Sequence, residues 1–296
     1  MTTKKNKRKK VILHSKSEPI LYKEGVEQLG IPYKISTTSS SWSIEYQNRK
    51  VVFSNGDIGV NEMRWQQKLK KEIRVNFEAL PKSKQRLITG TYKSKYYKFD
   101  ESIEQLKLSD GEVLVYDKVY LMDITKAYYY CLYNAGLLSR AFFKELLVVP
   151  KHIRLRLVGS IATLKHISYY NKHNQLVKTE MKFNERNRKI WDYLVNEIDR
   201  LMQKCADAVE SQFLFYWVDG IFFRERAHHD SLCRDLISHL FTSYKYDYTI
   251  TELDKIEIYN FGKTLRLETF LNGKGKSVYT IPSRHIKKYA LLDETI

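Results

Sequence analysis

Cysteine is scarce in this sequence, and long apolar runs are missing. Only three cysteines occur among 296 residues, far apart in the chain: Cys131, Cys205 and Cys233. Because they lack the spacing of zinc ligands, we expect each to be a small buried apolar residue in a reducing cytoplasm. No apolar stretch approaches the roughly 20 residues that a membrane-spanning helix needs, and no apolar signal core follows the basic start. The sequence therefore predicts a cytoplasmic protein without a membrane partner.

Acidic residues are outnumbered as well. The chain carries 51 Lys and Arg against 34 Asp and Glu, which gives a net charge of +17. Such a surplus indicates an anionic partner, and 22 Tyr, 13 Phe and 4 Trp that can stack on bases favour nucleic acid over a membrane surface. Six of the positive charges lie within the first ten residues, so residues 1–18 are expected to form a disordered basic arm. Most of the surplus therefore belongs to the folded part of the chain.

The segment 19–112 shows mixed patterns without an internal repeat, and we interpret it as a small α/β accessory domain. Residues 42–46 and 51–53 are typical of paired strands, with a turn at 54–57. A charged amphipathic helix is expected over 61–79. Lysines alternate with aromatic residues over 92–99, which is typical either of a face that binds single-stranded nucleic acid or of a solvated strand edge.

The segment from 113 onward is more regular. A β-rich run over 113–122 ends at Asp123, and a helix follows with Thr125 in place to cap it. A second strand signal, QFLFYWVDGIFF over 212–223, contains Asp-Gly between apolar residues, which is a strong hairpin signal. Further elements are expected as a hairpin over 169–182, an amphipathic helix over about 185–210, a helix over 228–242 and strands over 245–281. Together these patterns predict an α+β fold.

Two aspartates stand out by their positions. Asp123 ends an apolar strand, and Asp219 lies in the turn of an apolar hairpin, where a carboxylate is costly unless it is in the turn, paired or bound to a cation. On neighbouring strands the two carboxylates could hold two Mg²⁺ or Mn²⁺ ions about 3.5–4 Å apart, since Mg²⁺ takes oxygen ligands and keeps several waters. Taken singly, Asp123 is also explained by the dipole of the helix that follows, and Asp219 by ordinary turn chemistry. It is the pair, in this order and setting, that indicates a metal site.

Two motifs carry a resemblance to a known family. The segment DITKAY at 123–128 resembles the first palm motif of family B DNA polymerases, D-x-x-S-L-Y-P. The segment YWVDGIF at 216–222 is similar to their third motif, Y-x-D-T-D-S-I-F, with Trp217 in place of the first aspartate and Gly220 in place of the serine. The resemblance extends over roughly 113–290.

The resemblance implies roles for individual residues. Asp123 and Asp219 would be the catalytic metal ligands, and Ile124 would also lie at the metal site, which would hold two Mg²⁺ or Mn²⁺ ions. Tyr128 would pack under the sugar of the incoming nucleotide and exclude a 2′-hydroxyl.

Between these motifs the family carries K-x-x-x-N-S-x-Y-G on a helix of the fingers, and RLVGSIAT at 156–163 is a loose counterpart. Arg156 then takes the place of the lysine and Ser160 that of the asparagine. An alignment shifted by one residue would remove the cation, and we prefer Arg156 because a triphosphate needs a cation there. Arg154 and Lys144 are second candidates for nucleotide binding, and a solvated basic helix face is the open alternative.

After the third motif the family carries a K-x-Y element that grips the primer end. One possible match is formed by Lys274, Lys276 and Tyr279, and another by Lys288 and Tyr289. These residues are the candidates for binding primer and template.

The resemblance also implies a domain organisation. The palm would occupy 113–265, with a central antiparallel sheet backed by helices and a short helical fingers insertion over about 139–168. A reduced thumb or C-terminal extension would follow over 266–296. The stretch before Asp123 is too short for a proofreading exonuclease domain. The implied enzyme would copy a DNA primer-template or a single-stranded template, using dNTPs and without proofreading. If a phage or plasmid encodes it, it would work in the host cytoplasm, and the sequence does not identify its replication partners.

Other interpretations remain. A primase-like or reverse transcriptase-like palm also fits the segment 123–128, although reverse transcriptases need paired aspartates at the hairpin, where this chain has Asp219 alone. A degenerate palm that binds nucleic acid as a replication accessory protein would account for Trp217 and for the missing lysine and asparagine of the second motif.

Overall fold

The computed structural model describes residues 10–14, 19–38, 41–54, 60–95, 97–101, 103, 113–225, 231–260 and 264–282. The chain forms two compact units, each assembled from two separate stretches of sequence. Unit 1 comprises residues 1–91 and 135–193, and unit 2 comprises residues 92–134 and 194–296. Among the described residues, no helix is long and apolar enough to cross a membrane.

Strands and helices alternate irregularly along the chain. The strands are β1 (Lys10–His14), β2 (Tyr33–Thr37), β3 (Ser41–Tyr46), β4 (Arg49–Ser54), β5 (Tyr97–Phe99), β6 (Val113–Ile124), β7 (Lys165–Tyr170), β8 (Leu176–Lys182), β9 (Phe213–Trp217), β10 (Gly220–Arg224), β11 (Tyr248–Asn260), β12 (Thr264–Leu271) and β13 (Lys274–Pro282). The α-helices are α1 (Pro19–Gln28), α2 (Val60–Ala79), α3 (Lys82–Ile88), α4 (Ala127–Asn134), α5 (Arg140–Leu147), α6 (Lys151–Gly159), α7 (Glu185–Val209) and α8 (Leu232–Ser243). The predicted α+β class is confirmed.

Unit 1 is built on a sheet with the strand order β1-β4-β3-β2-β7-β8. β1 and β4 are parallel, and the other neighbours are antiparallel. The predicted strands at 42–46 and 51–53 are confirmed, but the chain turns between them at Gln47, whose φ of 46° is left-handed. The turn expected at 54–57 lies mostly outside the described residues. The predicted hairpin over 169–182 is confirmed as β7 and β8. β7 begins at Lys165, four residues earlier than expected.

One face of this sheet carries the core of unit 1. Alternate residues of β2, β3 and β4 point to this face and are buried, as expected from the two-residue period of a strand. They pack with Val26 of α1 and stack Tyr33 on Tyr170 at a ring-centroid distance of 4.8 Å. The buried set comprises Tyr33, Ile35, Ile44, Tyr46, Val51 and Phe53.

Unit 2 is built on a sheet with the order β13-β12-β11-β6-β10-β9-β5, and all of its neighbouring strands are antiparallel. Helices α4 and α8 and residues 194–209 of α7 belong to the same unit. α7 confirms the predicted amphipathic helix, because buried residues recur along it at spacings of three and four. The buried residues of its unit 2 part include Leu194, Ile198, Leu201, Cys205 and Val209.

The sheet of unit 2 curls strongly. Strand pairing places Tyr279 of β13 in one row with Leu267, Ile258 and Leu114, nine residues before Asp123 on β6. Nevertheless, the ring of Tyr279 packs edge-on against Phe222 of β10, with 6.0 Å between the ring centroids. A flat sheet would keep these rings far apart, so β12 and β13 must bend over the face that carries the core of this unit.

That core contains a group of stacked aromatic rings among aliphatic residues. Phe215 and Phe222 stack at 4.2 Å, and Phe99 stacks on Phe215 at 5.9 Å. Tyr97 and Phe99 of β5 are buried against β9, while Lys98 between them is exposed. The stretch 92–99 is therefore a strand edge where it forms β5, and these two rings are not available for base stacking.

The two units do not follow the linear boundaries expected from the sequence. β5, expected in the N-terminal domain, pairs with β9, and β12 and β13 extend the sheet that contains β6 across the expected boundary at 265. Within the expected disordered arm, Lys10–His14 instead pairs with β4, because Val-Ile-Leu supplies a short β-prone run. Residues 1–9 and 15–18 lie outside the described part of the chain.

The predicted burial of the cysteines is confirmed. All three are buried, and none forms a disulfide bond within the described residues. Burial raises the pKa of the Cys131 and Cys205 thiols to about 12, so neither is a reactive thiolate at neutral pH.

Candidate active site

Strand pairing in unit 2 brings Asp123 and Asp219 together. β6 and β10 are antiparallel, and Asp123 lies directly opposite Gly220, the residue after Asp219. The backbone amide of Ile124 donates to the carbonyl of Asp219 at 3.0 Å. Both aspartates are only half-buried. Asp123 in β6 and Asp219 in the loop that leads into β10 are 96 positions apart in sequence, and the pairing of β6 with β10 brings them to adjoining backbone positions.

The turn of the β9–β10 hairpin differs from the prediction by one residue. Val218 and Asp219 form the loop, and Gly220 is the first residue of β10 rather than part of the turn. Val218 has a φ of 57°, an unusual conformation for a β-branched residue that typically costs about 1–3 kcal/mol. The hairpin thus keeps Asp219 in a tight two-residue loop at the expense of backbone strain.

Gly220 gives the carboxylate of Asp123 its space. A Cβ atom at position 220 would lie 3.1 Å from Oδ1 of Asp123 and 3.2 Å from Cδ1 of Leu121. Both distances are tighter than ordinary van der Waals contact, so a side chain there would displace the carboxylate. This contact explains why the smallest residue is needed beside Asp219, independently of turn formation.

We expect Gly220→Ala to reduce any activity that needs both carboxylates by at least about tenfold while the protein stays folded, because small misplacements of a catalytic group are costly. Gly25→Ala is the matched control, since a Cβ atom at Gly25 in α1 would meet nothing within 4 Å. Activity and thermal unfolding of both variants check this. Equal activity in the two variants would contradict a role for the carboxylate position.

Tyr279 lies within electrostatic range of the same two aspartates. Burial raises the pKa of its phenol, and the negative charges of Asp123 and Asp219 raise it further. Both carboxylates are therefore close enough to act on one hydroxyl group. Of the candidates for binding primer and template, Tyr279 is the one that the structure brings to the aspartates.

The other candidates for binding primer and template lie farther along β13 or outside the described residues. Lys274 is exposed at the start of β13, roughly 16 Å along the strand from Tyr279. Lys276 lies within β13, and the structure describes its backbone only. Lys288 and Tyr289 lie outside the described residues.

α4 follows Asp123 as expected. Its end is confirmed at Asn134, with Gly136 at a φ of 77°. Thr125 uses its backbone amide to bind the carbonyl of Asp247 at 2.8 Å, and the helix begins at Ala127. Tyr128 is half-buried in its first turn.

Asp247 is a carboxylate near this turn that the sequence did not single out. Its carboxylate accepts a hydrogen bond from the hydroxyl of Tyr130. Burial raises the pKa of Tyr130 to about 12, and the hydrogen bond to Asp247 acts in the same direction. The contact ties α4 to the residue that precedes β11.

The four nucleotide-binding candidates from the expected fingers belong to unit 1. Arg156 forms a two-pronged ion pair with Glu62, with its Nε at 2.9 Å from Oε1 and its Nη2 at 2.7 Å from Oε2. Because the side chain of Glu62 is only 4% exposed, this pair holds α6 to α2 and engages Nε and Nη2 of the guanidinium. The Arg156 side chain keeps 40% of its surface exposed beside the pair.

Ser160 is buried, and its hydroxyl donates to the carbonyl of Leu157 at 2.7 Å. It therefore closes the end of α6 and is not exposed to a nucleotide. Arg154 is half-buried in the same helix, and Lys144 is exposed in the last turn of α5. The local pattern could not reveal the partners of Arg156 and Ser160, because Glu62 is 94 residues away from Arg156 in sequence.

A buried carboxylate that no sequence motif marks supports β9. Asp199 of α7 is 5% exposed and accepts hydrogen bonds from the Tyr216 hydroxyl at 2.6 Å, the Lys95 amide at 2.9 Å and Nε2 of Gln203 at 3.1 Å. Burial raises the pKa of Tyr216, and the bond to Asp199 adds to it. A signal existed, since Asp199 lies between Val195 and Met202 at the spacing of the apolar face.

The donor set at Asp123 and Asp219 fits magnesium. Both side chains offer hard carboxylate oxygens, and Mg²⁺ commonly binds one or two carboxylates, substrate phosphates and waters. The side chain of Ile124 is buried and apolar, so that residue could contribute only through its backbone. Within the described part of the chain, no group of three or more His, Cys, Asp or Glu is arranged to hold a metal ion.

Comparison with known proteins adds no relative: no protein-family model and no curated protein sequence matches this chain.

Proposed function

We propose that this protein is a template-directed nucleotidyltransferase that makes DNA from dNTPs without proofreading, using Asp123 and Asp219 to hold two Mg²⁺ or Mn²⁺ ions. The proposal assigns unit 2 as the palm of a small polymerase. The single observation that supports it best is the pairing of β6 with β10, which puts Asp123 opposite Gly220 and beside Asp219.

The order of elements supports the assignment. An antiparallel sheet carries one aspartate at the end of a strand before a helix and the other in a hairpin loop, and helix α7 lies between them in sequence. This order matches the two motifs that resemble family B polymerases. One aspartate lies in β6 and the other in the loop that leads into the neighbouring strand β10, and a motif match by itself does not require this placement.

The chemistry follows from the residues. Bound ions would activate the primer hydroxyl and stabilise the pyrophosphate that leaves. Asp123 and Asp219 supply the negative charge that holds such ions, and Gly220 leaves room for the carboxylate of Asp123. The strained loop at Val218 fixes the position of Asp219 before any ligand arrives.

The partners we propose are a DNA primer-template or single-stranded template and dNTPs, in a cytoplasmic setting. The net charge of +17 supports an anionic macromolecular partner. The thumb expected over 266–296 and the fingers expected over about 139–168 stay predictions.

Primer extension tests the proposed function. The purified full chain is mixed with a labelled primer on a DNA template, dNTPs and either Mg²⁺, Mn²⁺ or EDTA. We expect extension with either metal and none with EDTA, and a parallel reaction without primer tests for primase activity. Failure to extend under any metal, while the DNA is bound, would contradict the proposal.

Replacing Tyr128 with alanine is expected to relax sugar discrimination. If the ring of Tyr128 excludes a 2′-hydroxyl, its removal should raise incorporation of rNTPs relative to dNTPs by about tenfold or more. Tyr128→Phe keeps the ring and is the matched control, which should discriminate as the unaltered protein does. Single-nucleotide incorporation with dNTP and rNTP measures the ratio, and an unchanged ratio in Tyr128→Ala would remove the assignment.

A catalytically inactive palm that binds nucleic acid is the second candidate. Trp217 supports it, because its aromatic ring stacks on Tyr97 at 5.7 Å at the position where the related motif has its first aspartate. This protein would bind DNA in the same assay but would not extend a primer with either metal.

A further inference from the structure

The sheet of unit 1 has a second face, and two serines lie at its centre between the buried apolar residues Val52 and Ile167. Ser36 of β2 and Ser43 of β3 lie opposite each other and point away from the apolar core, since their neighbours Ile35 and Ile44 point into it. Both serines are buried, with 4% and 5% of their surface exposed. A buried sheet face normally carries apolar residues. Here the Ser43 hydroxyl donates a long hydrogen bond of 3.5 Å to the carbonyl of Ser36, and both serines also line a pocket.

A pocket lies over this face. Ser36 and Ser43 line it from the sheet, and Met63, Gln66 and Lys70 line it from α2. Its volume is about 210 Å³, below the roughly 300–1,000 Å³ of pockets that enclose drug-sized ligands. The space therefore suits a small polar group better than a complete nucleotide.

The charged residues that line the pocket are all positive. Three lysines line it, Lys50 from β4, Lys70 from α2 and Lys165 from β7, and none of its described lining residues is acidic. Burial lowers the pKa of Lys70, and no neighbouring carboxylate of the described residues offsets that effect. A bound anion would stabilise the charged form of this ammonium.

We propose that this pocket of unit 1 is a binding site for a phosphate group. Phosphate oxygens accept hydrogen bonds from serine hydroxyls, from the amide of Gln66 and from lysine ammonium groups, all of which line the pocket. All lining residues belong to unit 1, and their ammonium, hydroxyl and amide donors can bind a phosphate without a divalent cation. Its ligand is either a free phosphate or polyphosphate, or the terminal phosphate of a nucleic acid.

Titration with pyrophosphate in EDTA tests the site, because the chelator removes any binding through metal ions at the aspartates. We expect calorimetric binding to the full chain, and Lys70→Met should weaken it by at least about tenfold. The matched control is Lys172→Met, which removes an exposed lysine of the β7–β8 turn and should leave the affinity unchanged. If Lys70→Met is poorly folded, Ser43→Ala and Lys165→Gln test the same pocket.

Two further measurements separate this proposal from the polymerase proposal and distinguish the two sources of phosphate. Asp123→Asn should bind pyrophosphate in EDTA as the unaltered protein does. This binding would therefore be observed even if the polymerase proposal failed. A 5′-phosphorylated oligonucleotide that displaces pyrophosphate when its 5′-hydroxyl counterpart does not would identify a nucleic-acid end, and displacement by neither would identify a free phosphate. No pyrophosphate binding, or equal loss in the Lys70 and Lys172 variants, would overturn the proposal.

Discussion

Replacing either Asp123 or Asp219 with asparagine is expected to reduce primer extension by about a thousandfold or more, with DNA binding retained. Asparagine keeps the size of the side chain but removes the charge that holds a divalent cation, and metal ions typically contribute several kcal/mol to stabilising the transition state. Both aspartates are half-buried, and the pairing of β6 with β10 places them side by side. Either substitution alone should therefore be sufficient to cause this loss of primer extension. The rate of single-nucleotide addition in Mg²⁺ and Mn²⁺ measures the effect.

Asp117→Asn provides the matched control for this experiment. Asp117 is an exposed aspartate of the same strand, β6, six residues before Asp123, and it lies opposite Lys255 of β11. Its replacement removes one negative charge from the same element without touching the hairpin. Extension should therefore stay within about twofold of the unaltered protein, since exposed charges contribute little. If the Asp117 variant lost as much activity as the other two, the charge of the sheet and not a metal site would be responsible.

Asp199→Ala is expected to destabilise unit 2 by about 3 kcal/mol. Its carboxylate accepts bonds from Tyr216, Lys95 and Gln203, and the Tyr216 side chain has 0% exposure, so removal leaves a buried hydroxyl without its acceptor. A loss of this size corresponds to a melting temperature lower by roughly 6–12 °C. Thermal unfolding followed by circular dichroism measures it. Because Tyr216 lies in β9, just before the loop that holds Asp219, the variant should also lose activity at temperatures where it is still folded.

Asp207→Ala is the control for the second experiment. Asp207 lies two turns further along the same helix, is exposed, and forms an ion pair with Lys98 at 3.5 Å. Its loss should change stability by less than about 0.5 kcal/mol. If Asp199→Ala and Asp207→Ala destabilised the protein equally, the loss would come from a general effect on helix α7 and not from the buried hydrogen bonds of Asp199.

The local elements could largely be predicted, because each depends on a short pattern. The strand that ends at Asp123, the helix α7 and the hairpin of β7 and β8 were all expected from periodicity and turn residues. The two aspartates were expected on neighbouring strands, and the pairing of β6 with β10 agrees with this. The hairpin turn was expected to comprise Val218, Asp219 and Gly220, one residue too many, because Asp-Gly is a preferred turn pair but Gly220 begins β10.

Long-range partners could not be predicted in the same way. Glu62 takes the guanidinium of Arg156, and Asp199 takes the hydroxyl of Tyr216 and the amide of Lys95. Each of these bonds joins residues whose neighbours in sequence give no sign of the partner. The candidates Arg156 and Ser160 were therefore chosen by charge and motif position, while the fold uses both of them internally.

The sequence by itself determined the basic charge of this protein, the burial of its cysteines, most of its helices and strands, and the order of the two aspartates. Tertiary structure decided that β5, β12 and β13 join the sheet of β6, that Tyr279 reaches Asp123 and Asp219, and that serines and lysines enclose a pocket over the other sheet. The reason is physical: local patterns act through neighbouring residues, whereas sheet curvature and the pairing of distant strands depend on the packing of the whole unit.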